Sequence, residues 1–202
     1  KTITLVIKTH KFGRFTPQLD KELTINSWVN ISAAKGEFVF QYSNKSLDTP
    51  TVMVAGGSGI TPMMSMLSEH LSTTNNPIYL RYIAPLNEHQ FVEQLALLAK
   101  KYPCFTFDLM TRNEHELQPL ALVAKSEIYC CGPQGLMSDI EALSKNTGAN
   151  FYQEHFSLAP IVNDDSSIEV DVTVTLNGNV FTASNQQNLL IQLENQNAQV
   201  TR

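Results

Sequence analysis

Three short stretches hold residue types and spacings that could do chemistry. In Val54-Ala55-Gly56-Gly57-Ser58-Gly59-Ile60-Thr61-Pro62 a hydrophobic strand runs into a glycine-rich turn that opens a helix. Pro62 is expected at the first helical position and Thr61 as the cap. Glycines there let the backbone approach an anion closely, while the free N–H groups and the dipole of the helix start favour a phosphate. Ser58 adds a hydroxyl donor. The bland alternative is a tight strand-to-helix turn with no ligand. The spacing departs from the usual dinucleotide fingerprint. Pro62 stands where that pattern has its third glycine, and Ile83-Ala84-Pro85 stands where an acidic residue would end the second strand.

The second stretch is Ile128-Tyr129-Cys130-Cys131-Gly132-Pro133, again a strand running into a turn before a helix. Ligands of open parallel sheets bind beyond the carboxyl ends of the strands, so this turn and the first could face one crevice. By residue type alone Cys131 reads first as a small buried apolar residue, since a thiol nucleophile needs a basic partner and no histidine lies nearby in sequence. The third stretch is Phe151-Tyr152-Gln153-Glu154-His155-Phe156-Ser157. Glu154 and His155 could form an acid–base pair, but neighbours on a strand point to opposite faces, so a structural or exposed His155 is preferred. His10, His70, His89 and His115 are scattered, and Cys130 and Cys131 are too close for zinc-ligand spacing. No protein-bound metal is expected within these residues.

The elements that must position these turns differ in period along the chain. Up to about Phe40 the pattern is of short strands: Ile3–Ile7 is rich in β-formers, Trp28–Ser32 alternates at period two, and Phe38–Phe40 closes the segment. A polar stretch from Ser43 to Pro50 reads as a linker. From Thr51 to about Phe156 strands alternate with helices. Strands are expected at Thr51–Ala55, Ile78–Ile83, Phe105–Met110, Glu127–Cys131 and Asn150–Gln153. Helical faces are Met64/Leu67/Leu71, Phe91/Leu95/Leu98 and Leu136/Ile140/Leu143. Strands joined through helices imply a parallel, doubly wound sheet. After the acidic, turn-rich Ile161–Ser167, an alternating run to Leu176, the turn Asn177-Gly178 and Val180-Phe181-Thr182 spell a hairpin, and Leu189–Glu194 looks helical.

Composition narrows the classes. The 202 residues are 43% hydrophobic and 16% charged, which excludes a disordered chain, a collagen-like repeat and a disulfide scaffold. The net charge of −5 is uneven: seven Lys/Arg against four Asp/Glu in residues 1–48, six against ten in 49–159, one against five in 160–202. No basic stripe interleaved with aromatics speaks for nucleic acid. A strictly apolar run such as Leu95–Ala99, which no other exceeds, is far short of the roughly 20 residues a spanning helix needs. No charged-then-apolar secretory signal opens the chain, so the default setting is cytoplasmic.

Together the turns resemble the ferredoxin reductase-like flavoprotein superfamily. Gly57-Ser58-Gly59-Ile60-Thr61-Pro62 looks like its pyridine-nucleotide phosphate loop, Cys131-Gly132-Pro133 like its turn beside the nicotinamide, and Glu154-His155-Phe156 like its closing strand next to the flavin. Upstream, Gly13-Arg14-Phe15-Thr16 is similar to the turn whose helix start touches the flavin diphosphate, and Gly36-Glu37-Phe38 to the last strand of the flavin barrel. The family's arginine–x–tyrosine–serine motif is missing, and the chain opens at Lys1 without a methionine. Residues 168–202 resemble the opening hairpin and helix of a plant-type ferredoxin whose cluster cysteines would come next.

The resemblance implies an α/β nucleotide-binding domain at 49–159, preceded at 1–48 by part of an antiparallel β-barrel for FAD. A linker at 160–167 leads to part of a [2Fe-2S] β-grasp domain at 168–202, the chain being cut at both ends. It implies hydride transfer from NADH to FAD, then electron release to an iron–sulfur cluster and a protein acceptor such as an oxygenase or a hybrid-cluster protein. Gly56, Gly57, Ser58, Gly59, Thr61 and Pro62 would hold the nucleotide, and Cys131 with Gly132 and Pro133 would border the nicotinamide. Glu154 and Phe156 would line the flavin–nicotinamide interface, and Thr16 the flavin diphosphate. NADH is expected over NADPH because Ala84-Pro85 offers a 2′-phosphate no arginine, Arg112 being the one rival. Two other readings are a non-catalytic nucleotide-binding subunit and a reductase serving a haem or monooxygenase partner.

Overall fold

The structure, a computed structural model, describes residues 3–9, 15–41, 49–73, 75–111, 126–156 and 170–196. They fall in two units, Lys1–Phe156 and Ser157–Arg202. The linker readings over Ser43–Asp48 and Ile161–Ser167, together with Arg112, His10, His115, Gly13 and Arg14, lie outside the described residues.

The first unit is organised by five strands: β1 (Thr51–Gly56), β2 (Ile78–Ala84), β3 (Phe105–Thr111), β4 (Glu127–Cys131) and β5 (Asn150–Glu154). They lie in the order β3-β2-β1-β4-β5 and every pair is parallel. Every residue of β1 and β4 is buried, as central strands covered on both faces require, and their near-continuous apolar runs supply the side chains. The helices α2 (Ile60–His70), α3 (Val92–Lys101) and α4 (Gln134–Thr147) cover this sheet. Odd-numbered β1 residues Met53 and Ala55 pack with Met63, Met66 and Leu67 of α2 and Leu95 of α3. Their even-numbered neighbours Val52 and Val54 pack with Met137 and Ile140 of α4. The alternation of a strand thus divides the core into two layers. The expected α/β doubly wound sheet is what forms.

Four strands run one residue further than expected, to Gly56, Ala84, Thr111 and Glu154. Their last residues still pair across the ladder (Gly56 with Ile83, Ala84 with Thr111, Cys131 with Glu154), so backbone bonding outlasts the apolar pattern. The helical faces hold, and Met63, Met66 and Met137 join them as buried residues that the period had not picked out.

Upstream of β1 the expected strands Ile3–Ile7, Trp28–Ser32 and Phe38–Phe40 are absent as ladders among the described residues; the one regular element is α1 (Thr16–Glu22). A period-two apolar pattern becomes a strand only when another backbone pairs with it, and none does here: Trp28 is 100% exposed and Ile25 94%. The segment is fastened near its end, where Phe40 is buried against the sheet.

In the second unit β6 (Asp171–Leu176) and β7 (Asn179–Ser184) pair antiparallel around Asn177-Gly178, both at positive φ as a two-residue hairpin turn demands. The short α5 (Leu189–Asn195) is tied to β7 by amides. The Gln192 carbonyl Oε1 accepts the Ser184 N–H at 2.7 Å, and its Nε2 donates to the Ser184 carbonyl at 2.7 Å. Ala183 and Leu193 are buried, while Val172, Val180 and Ile191 stay exposed. No helix among the described residues is long and apolar enough to cross a membrane.

Two glycine-to-alanine changes should move stability in opposite directions. At Gly59 an added Cβ would stand 1.9 Å from the Cys131 carbonyl oxygen, a backbone atom that cannot step aside. Gly59→Ala should destabilise by about 3 kcal/mol or more. Gly135, in the first turn of α4, has open space where its Cβ would go, so Gly135→Ala should stabilise by about 0.5 kcal/mol. Urea denaturation of the three proteins checks both signs.

Candidate nucleotide site

Between β1 and β4 the winding reverses: β1, β2 and β3 run outward one way and β4 and β5 the other. Crevices of open parallel sheets form beyond the strand ends at such a reversal. Here it is built from two turns pressed together backbone on backbone. An added Cβ at Gly56 would lie 2.6 Å from Pro133 Cδ and 2.9 Å from Leu136 Cδ2, and one at Gly132 2.9 Å from Gly56 Cα. Gly59 faces the Cys131 carbonyl in the same way. Only hydrogen fits at these three positions. Gly57 differs: its φ is +56°, and a Cβ there would meet nothing within 4 Å. Gly56, Gly57, Ser58, Gly59, Thr61 and Pro62 of the first turn are thereby gathered beside Cys131, Gly132 and Pro133 of the second.

The helix start departs from expectation. Gly57–Gly59 form a 3-10 turn, Gly59 is the residue that precedes α2, and no side chain caps it. Thr61 is therefore not the cap. It is the second residue of α2, and its hydroxyl donates to the Ser58 carbonyl at 3.1 Å, pinning the turn from inside. Pro62 is third in the helix rather than first, and its missing N–H costs no intrahelical bond in the first turn. The early glycines, which accept tight geometry, let the helix begin sooner than the proline suggested.

Cys131 is fully buried. Burial pushes its thiol up to about 12, with the nearby Glu154 carboxylate adding to the rise, so it is protonated at any physiological pH. That suits the small apolar role the residue type favours rather than a thiolate nucleophile. Glu154 ends β5 as the ladder partner of Cys131. His155 follows the strand; its Nδ1 is enclosed without a hydrogen-bond partner among the described residues, so no bond there joins it to Glu154 as an acid–base pair. Phe156, next along, is 58% exposed. Thr16 opens α1, in the segment upstream of the sheet.

Sequence reading missed three features. Residues beyond β2 form a loop held by the Tyr82 hydroxyl, which accepts the Gln90 N–H at 3.1 Å, and by His89, whose Nε2 lies 3.1 Å from the Met110 carbonyl. On the other face of β2, Arg81 is buried and bonded to Asp108 of β3 at 2.9 Å and to the Tyr79 hydroxyl at 2.9 Å, and that hydroxyl in turn donates to Asp108. The third is an aromatic stack around Tyr129, joining partners 88 residues apart in sequence at Gln41. Only the type of each residue was legible beforehand; nothing in local spacing links them. Among the described residues no group of three His, Cys, Asp or Glu side chains comes together as a metal site.

Comparison with known proteins adds names to this geometry. Residues 53–118 match the family model for the oxidoreductase NAD-binding domain, a stretch that starts inside β1 and carries the glycine turn. A flavohemoprotein of Bacillus cereus is 29% identical over 163 residues, covering 71% of this chain and 39% of its own length. The vanillate O-demethylase oxidoreductase of a Pseudomonas strain is 32% identical over 135 residues, covering 62% of this chain and 42% of its own. The crystal structure of a flavohemoglobin from Malassezia yamatoensis, with bound FAD and heme, superposes with a TM-score of 0.58 at 18% identity over 75% of this chain and 43% of that one. The chain thus spans about two fifths of the length of the curated relatives it matches.

None of the three thiols is in a disulfide, and Cys104 is the partly exposed one. Burial raises Cys130 to about 12 as well. Iodoacetamide at pH 8 should therefore modify Cys104 alone in the folded protein, with Cys130 and Cys131 reacting only after denaturation, as peptide mass mapping would read.

Proposed function

We propose that the chain is a ferredoxin reductase-like flavoprotein, the nucleotide-binding part of an NADH-dependent oxidoreductase that feeds electrons through FAD to a redox partner. The NAD-binding family match and the flavohemoprotein relative support this reading. One observation carries the reading: two turns seated glycine to glycine at the sheet's reversal, with the left-handed Gly57 facing open space at the start of a helix. A cradle with no side chain in the way, lined by N–H groups at a helix start, fits a pyrophosphate.

Gly57, Ser58 and Gly59 would hold the pyrophosphate through their N–H groups, with Gly56, Thr61 and Pro62 shaping the turn. Cys131, Gly132 and Pro133 would form the wall for the nicotinamide ring, the neutral buried thiol giving it a compact, uncharged neighbour. Glu154 and Phe156, at the end of β5, would line the side toward the flavin, and Thr16 would meet the flavin diphosphate. Bound FAD supplies the exchange between two-electron and single-electron donors. The chain's own residues orient NADH so that its hydride leaves along one path, where small misplacement costs rate steeply.

NADH rather than NADPH suits the surroundings of β2. Ala84-Pro85 follow the strand, and the arginine within it, Arg81, is buried and taken up by Asp108 and Tyr79. An oxygenase is the favoured kind of partner, in keeping with the vanillate O-demethylase reductase among the relatives. The finer form, a ferredoxin domain opening at β6, is supported by the strand–turn–strand–helix order of the second unit. No cysteine follows Cys131, so these residues could hold no iron–sulfur cluster and no step is assigned to one. Unbridged thiols go with a cytoplasmic setting.

Gly57 gives the cleanest test. Asparagine and aspartate both accept a left-handed backbone, and both side chains have room, so each variant should fold. Gly57→Asp places a carboxylate where the pyrophosphate is expected and should raise the Kd for NADH at least tenfold over Gly57→Asn, measured by the quenching or enhancement of nicotinamide fluorescence. Equal affinities would remove the assigned loop. For the cofactor preference, the ratio of kcat/KM for NADH to that for NADPH in the flavin-loaded protein should exceed tenfold, and an NADPH advantage would reverse the assignment.

A further inference from the structure

The segment upstream of β1 meets Tyr129 of the parallel sheet through three of its residues, Phe38, Phe40 and Gln41. The Tyr129 side chain is fully buried in the middle of β4. Phe40 stacks on it with ring centroids 5.2 Å apart and 18° between planes, and Phe38 approaches edge-on at 6.0 Å. Phe40 in turn stacks at 3.5 Å on His70, the last residue of α2. On the far side Tyr152 of β5 stacks on Tyr129 at 4.9 Å. The Tyr129 hydroxyl accepts the backbone N–H of Gln41 at 2.9 Å, a specific polar tie within an apolar stack. Two residues further along the same strand, on the same face, is Cys131, whose carbonyl seats Gly59.

One strand therefore carries, at its centre, the anchor of the upstream segment and, at its end, the turn assigned to the nicotinamide. We propose that Tyr129 is a positioning residue: its ring and hydroxyl fix where the upstream, flavin-side segment sits on the nucleotide sheet, and through that the approach of nicotinamide to flavin. The proposal rests on the hydride-transfer reading above. It assigns no contact between Tyr129 and either cofactor. A hydroxyl that served stability alone would have no reason to govern the meeting of the two rings.

The test uses the flavin-loaded protein and removes the same hydrogen bond from each side. Tyr129→Phe keeps the stack and loses the acceptor, while Gln41→Pro keeps the tyrosine and loses the donor. Each variant, and the two combined, is followed by stopped-flow reduction with NADH, by NADH Kd, and by the long-wavelength charge-transfer absorbance of NAD+ over reduced flavin. The expected result is a hydride-transfer rate at least fivefold lower with the Kd within twofold of the parent and a weakened charge-transfer band. The double variant should be no slower than the singles, since one interaction cannot be lost twice. Unchanged rate and band in both single variants overturns the proposal, and so does a Kd that worsens in step with the rate. Absence of NADH-dependent flavin reduction in the parent protein would instead sink the hydride-transfer reading itself.

Discussion

Everything at the candidate site depends on how closely two backbones approach. Gly56, Gly59 and Gly132 bring the turn after β1 and the turn after β4 together with no side chain between them. Any methyl group at these positions would meet carbon or oxygen at under 3.0 Å. The contact fixes where α2 begins, because Gly59 precedes its first residue, and where α4 begins, because Pro133 packs against Gly56 one residue before it. Two helix starts are thereby brought side by side at the reversal of the sheet. Helix starts carry N–H groups without intrahelical partners and the positive end of the dipole, which is the physical basis of the proposed phosphate site.

The parallel sheet converts this local contact into a rigid frame. β1 and β4 are neighbours, buried along their whole length, and each is flanked by a further parallel strand. Displacing one turn relative to the other would slide a fully paired ladder from Thr51–Glu127 to Ala55–Cys131. Close-packed interiors resist such sliding. On the β2 side the following loop is held by Tyr82 and His89, and on the β5 side the ladder runs on to Glu154 opposite Cys131.

Legibility in the sequence followed the range of the interactions. The alternation of strands and helices from Thr51 to Glu154 was readable because burial against a sheet imprints a period on contiguous residues. The hairpin at Asn177-Gly178 was readable because its positive φ values demand those residue types. The turns of the site were readable as glycines beside strand ends, but not the division of labour among them. That Gly57 faces open space while Gly56 and Gly59 face another chain segment depends on contacts with residues more than 70 positions away. Thr61 was misassigned as the cap because the preceding 3-10 turn has no signature beyond the glycines themselves. The strands expected before Phe40 failed for a related reason. Alternation records which face is apolar, while a ladder also needs a partner backbone, and Trp28 and Ile25 meet none among the described residues.

The adjacent cysteines of β4 have a consequence of another kind. Strand alternation sends Cys130 into the layer beneath α4 and Cys131 into the layer with α2, so two neighbours in sequence share no surroundings. β4 acts as a partition wall. Substitutions that refill the α4 side need not disturb the face that borders the crevice, and the reverse holds too. Each layer can drift in composition on its own, leaving the backbone between them as the only element that both must keep.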